Sequence, residues 1–216
     1  MPNWCYTSYE VNGSKSDIDL LFNFIDEACS GKWDKTAHSD FGVNWLGNLA
    51  LELGIKKDDV VHNTTPCRGY FNDVDRITDN SLIFSTETAW TNCNKLFRKV
   101  IDHLAISVKV DYYSEEPGGG FFEASSISYI EGHDCAFSNM ELPKDFDLSQ
   151  HPEIGKLYNY YNGDGYTCEK EHLIKLLQKA AGTESTDVDQ LLGDIEDRYG
   201  TDFSISIHDI DLRVAV

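Results

Sequence analysis

A single stretch, Ser81 to Ile130, carries a strand pattern, a helix pattern, a second strand pattern and a glycine turn in direct succession, and few folds accommodate that order. Leu82, Ile83 and Phe84 lie among Ser and Thr without Gly or Pro, a β-favouring mixture. After Trp90, a cap at Thr91 or Asn92 opens a helix in which Leu96, Phe97, Val100, Ile101 and Leu104 recur at helical spacing. Lys95, Arg98 and Lys99 fall on its other face. Ile106, Val108, Val110 and Tyr112 then alternate with Ser107, Lys109, Asp111 and Tyr113, the period of a sheet with one wet face. Pro117 and Gly118 to Gly120 supply a reversal, and Phe121 begins the return strand.

The chain before this stretch supplies the remaining layers. Residues 4 to 12 alternate as a strand that ends at the turn dipeptide Asn12-Gly13. Ser16 and Asp19 form a capping pattern ahead of Ile18, Leu21, Phe22, Ile25, Ala28 and Cys29, a helical stripe that stops at Gly31. Polar residues 31 to 41 read as loop. Asp40 caps a second helix, lined by Trp45, Leu46, Leu49, Ala50 and Leu53 and ended by Gly54. Residues 55 to 67, closed by Pro66, are again loop, and Arg68 to Ile77 with Leu82 to Thr88 flank a hairpin turn at Thr78 to Ser81. The resulting βαββαβ order predicts a ferredoxin-like α+β sandwich over residues 1–132, with an inserted helix and an extra hairpin strand. Its first and third helices are expected side by side on one sheet face. Trp4 and Trp90 are expected in the core, as large aromatics usually are.

The opening MPNWCYTSYEVNG resembles the start of the YubB-like family of uncharacterised phage and plasmid proteins, which have a ferredoxin-like domain. The run from Phe84 to Trp90, the helix after it, Tyr112 to Glu116 and Gly118 to Phe122 resemble that family's second signature. Where the family usually has Ser-Pro-Pro after the tryptophan, this chain has Thr91-Asn92-Cys93. The resemblance covers residues 1 to about 130. It implies a mobile-element setting, and neither an activity nor an iron–sulfur cluster.

Residues 133–216 read as a helical extension ending in a strand that packs on the same sheet. Residues 131 to 152, with Gly132, Pro143 and Pro152 and no periodicity, are expected to be an irregular connection. Glu153 to Tyr161 is a short helix bearing Leu157, Tyr158 and Tyr161. Glu169 to Ala181 is a helix that buries Leu173, Ile174, Leu176, Leu177 and Ala180 before Gly182. Thr186 caps another, with Val188, Leu191, Leu192, Ile195 and Tyr199 on its stripe and Gly200 at its end. In the tail, Phe203, Ile205 and Ile207 alternate, then Ile210, Leu212, Val214 and Val216. The change of phase near His208-Asp209 predicts a bulge or kink.

Charge narrows the functional options. With 37 acidic and 18 basic residues the formal net charge is −19, which repels phosphate backbones and disfavours a basic nucleic-acid groove. No run approaches the roughly 18 apolar residues of a membrane helix, and MPNWCYTSYE has neither a basic lead nor an apolar signal core. The expectation is a cytoplasmic chain without membrane association. Its six cysteines are scattered, without a CxxC pair, and are expected to be reduced and mostly buried.

Tyr160 to Glu171 matches half of a calcium loop: Asn162, Asp164, Gly165 and Glu171 fall at positions three, five, six and twelve, but Tyr160 occupies position one and Cys168 position nine. The plainer reading is an Asn-Gly-Asp-Gly turn leading into a helix. His133-Asp134-Cys135 sits in acidic surroundings that raise a thiol pKa and disfavour a nucleophile. Asp73, Asp75 and Arg76, like His208, Asp209 and Asp211, read as solvated strand ends. No complete triad, metal set or nucleotide loop is present, and no cofactor is implied. The sequence therefore points to a non-enzymatic protein-interaction module, with Asp187, Asp194, Glu196 and Asp197 as an acidic surface for a basic protein partner. The alternatives are a DNA mimic that occupies a host nuclease or restriction enzyme, and a weak calcium-binding protein.

Overall fold

The computed structural model describes residues 3–30, 42–55, 67–116, 118, 120–126, 128–142, 144–163, 167–200 and 204–213. The expected stop at Gly31, the loop at 31–41, the cap at Asp40, most of the loop at 55–67 with Pro66, and Pro117, Gly119, Asp164, Gly165, Phe203, Val214 and Val216 lie outside these residues. The protein is mixed α+β and divides into two compact units, Met1–Tyr129 with Asp211–Val216, and Ile130–Ile210.

The first unit is a sheet with helices on one face. Its strands are β1 (Trp4–Gly13), β2 (Gly69–Thr78), β3 (Ser81–Ala89), β4 (Val108–Glu116), β5 (Phe121–Ala124) and a short last strand, β9 (Asp211–Leu212), in the spatial order β2-β3-β1-β4-β5-β9. All neighbours are antiparallel except β5 and β9, which run parallel. The helices are α1 (Lys15–Ser30), α2 (Leu46–Glu52) and α3 (Asn94–Leu104).

Period two explains which face they cover. Cys5, Thr7, Tyr9 and Val11 of β1, Leu82, Phe84 and Thr86 of β3, and Val110 and Tyr112 of β4 are buried on the inner face. Ile18, Leu21 and Ile25 of α1 and Leu96, Phe97 and Val100 of α3 close over them, with the two helices in contact. An aromatic knot forms the centre. Tyr9 stacks on Phe84 with ring centroids 4.6 Å apart, and Phe97 lies 4.7 Å from Phe84 and 5.7 Å from Phe71. Strands β2 and β3 approach closely at Gly69, where an added Cβ would lie 2.0 Å from the Glu87 carbonyl oxygen, so only glycine fits.

Several local expectations need correction. The α1 cap is Ser14, whose Oγ accepts the Asp17 N–H at 3.2 Å, because the helix begins directly after Gly13 rather than at Ser16. Cys93 occupies the cap position of α3 without a side-chain bond to the helix backbone, while Asn92 Oδ1 accepts the Asn94 N–H at 3.4 Å. Trp4 and Trp90 are 45% and 54% exposed. Trp4 shares the outward period with Tyr6, Ser8 and Glu10, and Trp90 has φ +72° where β3 turns toward α3. Asp111, expected to face water, is buried and pairs with Lys109 Nζ at 2.5 Å.

The second unit has its own sheet. The segment expected to be irregular contains β6 (Cys135–Glu141), which forms the middle of a three-stranded sheet between β7 (Thr167–Cys168) and β8 (Ser204–Asp209). Among the described residues of the C-terminal strand expected to join the first sheet, only Asp211-Leu212 does so; Ser204–Asp209 pairs with β6. The phase change near His208-Asp209 thus marks a change of sheet, at Ile210, whose N–H donates to the Asp134 carbonyl at 3.1 Å.

Helices α4 (Pro152–Gly163), α5 (Lys170–Ala181) and α6 (Val188–Tyr199) contribute Ile154, Leu157, Leu173, Leu177, Leu191 and Ile195 to an aliphatic core. Asp187, not Thr186, caps α6, accepting the Gln190 N–H at 3.0 Å. No helix among the described residues is long and apolar enough to cross a membrane.

Candidate functional site

The residues singled out in the sequence lie apart from one another in role. Asn162 is in the last turn of α4, and Asp164 is outside the described residues. Glu171 is in the first turn of α5, where its carboxylate takes Lys175 Nζ at 2.7 Å and is held below the usual carboxylate range by that bond. Asp187 is occupied as a cap, Asp194 is half-buried, and Glu196 and Asp197 are exposed on α6. Among the strand-end acids, Asp209 pairs with Lys170 at 2.5 Å and Asp211 with Arg213 at 2.6 Å. Arg76 reaches Asp19 and Asp79.

Two constellations in the first unit were not singled out in advance. One is a buried polar net at the start of α3. Glu123 Oε1 accepts from Tyr112 Oη at 2.7 Å and Asn92 Nδ2 at 2.8 Å, and Arg213 Nε lies 3.2 Å from Oε2. Asn92 also donates to Ser114 Oγ, which accepts from Thr7, and Tyr9 donates to Asn94 Oδ1 at 2.8 Å. Every member has a partner inside the unit, so the net ties β1, β4, β5 and the α3 start together. Burial and the neighbouring Glu123 carboxylate push the Tyr112 hydroxyl upward. Burial raises the Cys5 and Cys93 thiols to about 12, which leaves both protonated and unreactive near neutrality.

The other lies on the sheet face away from the helices. Register places Tyr70 opposite Glu87, Glu87 opposite Tyr6, Tyr6 opposite Glu115, and Glu115 opposite Phe122. Aromatic and acidic residues thus alternate across five strands in one row. With strands about 4.8 Å apart, the two carboxylate-bearing positions flank Tyr6 at a separation of about 10 Å. Tyr6 is 40% exposed, Glu87 is exposed, and Tyr70 and Glu115 are half-buried. Trp4, one step along β1, lies with its ring centroid 6.2 Å from that of Tyr70.

Burial also raises the Tyr129 hydroxyl. Burial likewise pushes the Glu115 carboxyl above its usual value. The row combines ring faces, which attract cations by their quadrupole, with carboxylates that pair with them. The available signal in the sequence was the mixture of aromatic and acidic residues at the outward positions of Trp4 to Glu10 and Ile83 to Glu87.

No family model, curated protein or solved structure matches this chain. The geometry is therefore the ground for any functional reading.

Proposed function

We propose that this chain is a non-enzymatic protein-interaction module whose first unit captures a lysine- or arginine-rich segment of a partner protein on the outer sheet face. The observation that carries the reading is the in-register row Tyr70–Glu87–Tyr6–Glu115, aromatic and acid in turn, on a protein of net charge −19. Each exposed cation–π contact contributes about 0.5–1 kcal/mol and each exposed ion pair about 0–1 kcal/mol. A micromolar complex needs about 8 kcal/mol, so the occupant must be an extended segment with several cations rather than a single side chain.

In the same reading the first unit is a ferredoxin-like sandwich. Its support is the order β1-α1-β2-β3-α3-β4, with α2 inserted, and the antiparallel arrangement β2-β3-β1-β4. A mobile-element protein of the YubB-like kind working in the cytoplasm is the context proposed with it. That part rests on the residues of β1, β3, β4 and β5 that carry the resemblance.

The test is a fluorescence titration with an arginine-rich peptide and a length-matched glutamate-rich peptide, at low and high salt. Selective binding of the basic peptide is expected, weakened by salt and reduced about two- to fivefold by Tyr6→Ala and by up to about fivefold by Glu87→Gln. Asp187→Asn, Asp194→Asn and Asp197→Asn together should leave it unchanged. Binding that follows the α6 substitutions instead, or equal binding of both peptides, overturns the sheet-face assignment.

A further inference from the structure

Within the second unit two cysteines face each other on neighbouring strands. Cys135 of β6 and Cys168 of β7 are direct register partners, both fully buried, with their Sγ atoms 2.9 Å apart. Directly opposed residues of an antiparallel pair have Cα atoms about 4.5–5.5 Å apart, inside the span of about 4.4–6.8 Å that a disulfide bridges. The register is fixed at Asp134, beside the pair. The Asp134 N–H donates to the Cys168 carbonyl at 3.1 Å, and the Lys170 N–H donates to Asp134 Oδ1 at 2.6 Å. Lys170 Nζ then holds Asp209, the β8 residue opposite Cys135, at 2.5 Å. No other cysteine pair among the described residues shares a strand register in this way.

We propose that Cys135 and Cys168 are a modification site: a dithiol that a low-molecular-weight disulfide oxidises to an intramolecular cross-strand disulfide. A thiolate from one cysteine attacks a sulfur of the small disulfide, forming a mixed disulfide and releasing one small thiolate. The second cysteine, deprotonated in turn, attacks the protein sulfur of the mixed disulfide, forming the Cys135–Cys168 bond and expelling the other small thiolate. The pair loses two electrons and two protons, and the small disulfide gains both as two thiols.

The way in is β7. It is a two-residue edge strand in the order β7-β6-β8, so opening two residue pairs exposes Cys168 without dismantling the core. The hydrogen bond with Cys135, burial and the nearby Asp134 carboxylate all raise the Cys168 thiol, so exchange requires that opening and is slow.

The experiment incubates the reduced full chain with excess oxidised glutathione and follows intact mass, then maps peptides after alkylation under denaturing, non-reducing conditions. The expected product is 2 Da lighter, since two hydrogens leave, has two fewer alkylatable thiols, and contains one cross-linked peptide joining 135 to 168. Its urea midpoint should rise above that of the reduced protein, because the bond spans 33 positions of chain. Cys135→Ser and Cys168→Ser should each retain a glutathione adduct instead of losing 2 Da, and Cys5→Ser should behave as wild type. Should either Ser variant fail to fold, the peptide map of the wild-type chain decides alone. A bond distributed among other cysteines, or a chain whose thiol count stays constant over days, overturns the proposal.

Discussion

Among the described residues, every buried polar or charged residue, from Thr7 and Asn48 through Glu116 and Glu123, belongs to the first unit. The second unit packs Ile154, Leu157, Leu173, Leu177, Leu191 and Ile195 around two cysteines, and none of its described carboxylates is fully buried. Both solutions answer the same demand, that a buried polar group find a partner, with the Asn48 Oδ1 and the Tyr113 hydroxyl of the first unit as exceptions among the described residues. The first unit meets it with a net that reaches from Thr7 through Ser114, Asn92 and Glu123 to Tyr112; the second avoids the demand. A net with fixed partners selects one arrangement of strands, whereas aliphatic packing tolerates exchange between side chains of similar volume. The first unit is therefore expected to be the more particular about its residues, and the second the more forgiving.

That contrast can be broken most directly in the cores. Phe97→Ala should cost about 3–5 kcal/mol and Leu173→Ala about 2–5 kcal/mol. Hydrogen exchange should show the loss of protection confined to β1 and β3 in the first case and to α5 and α6 in the second. Simultaneous loss in both units would abolish the distinction.

Glu123→Ala comes next, at about 2–3 kcal/mol, because Tyr112 and Asn92 lose an acceptor they cannot replace. Arg213→Ala should cost much less in denaturant melts, since that side chain is 63% exposed and its ion pair is screened. Equal costs for the two would mean that the ion pair, not the net, holds Glu123. Asp187→Ala removes the α6 cap for about 1 kcal/mol and should leave first-unit exchange untouched.

The smallest effect concerns Glu115. Its folded carboxyl titrates above the usual 4.5, with burial the main cause, so ionisation is disfavoured in the fold. Its contribution to stability is fully present below the unfolded value and is lost as pH rises through the folded one. Glu115→Gln should therefore raise the urea midpoint at neutral pH and change it little at pH 4. A gain of the same size at both values would exclude titration as its origin.

The first unit was more legible than the second, for reasons visible in its residues. Val110 and Tyr112 alternate without interruption, and Leu96, Phe97 and Val100 repeat at helical spacing, so each period declares its element. Strand β6 does not: Cys-Ala-Phe-Ser-Asn-Met-Glu carries a single β-favouring residue, Phe137, and lies between Gly132 and Pro143. Tertiary pairing with β8 made it a strand. The outer row was illegible because it exists only across strands. Tyr6, Tyr70, Glu87 and Glu115 are scattered along the chain and become neighbours through register alone. Side-chain size also misled, since Trp4 follows the period of Ser8 and Glu10 rather than its own hydrophobicity.

The parallel pairing of β9 with β5 has a consequence for how the molecule is made. Asp211 lies opposite Glu123, yet all of Ile130–Ile210 separates the strands in the chain. At about 5–20 residues per second, a ribosome needs several seconds to deliver the last strand after the fifth has emerged. During that interval the nascent sheet presents an open rim beside Phe121–Ala124, and Glu123 waits without its arginine. Such a rim is an unpaired strand edge, the kind of surface on which another chain can add a strand.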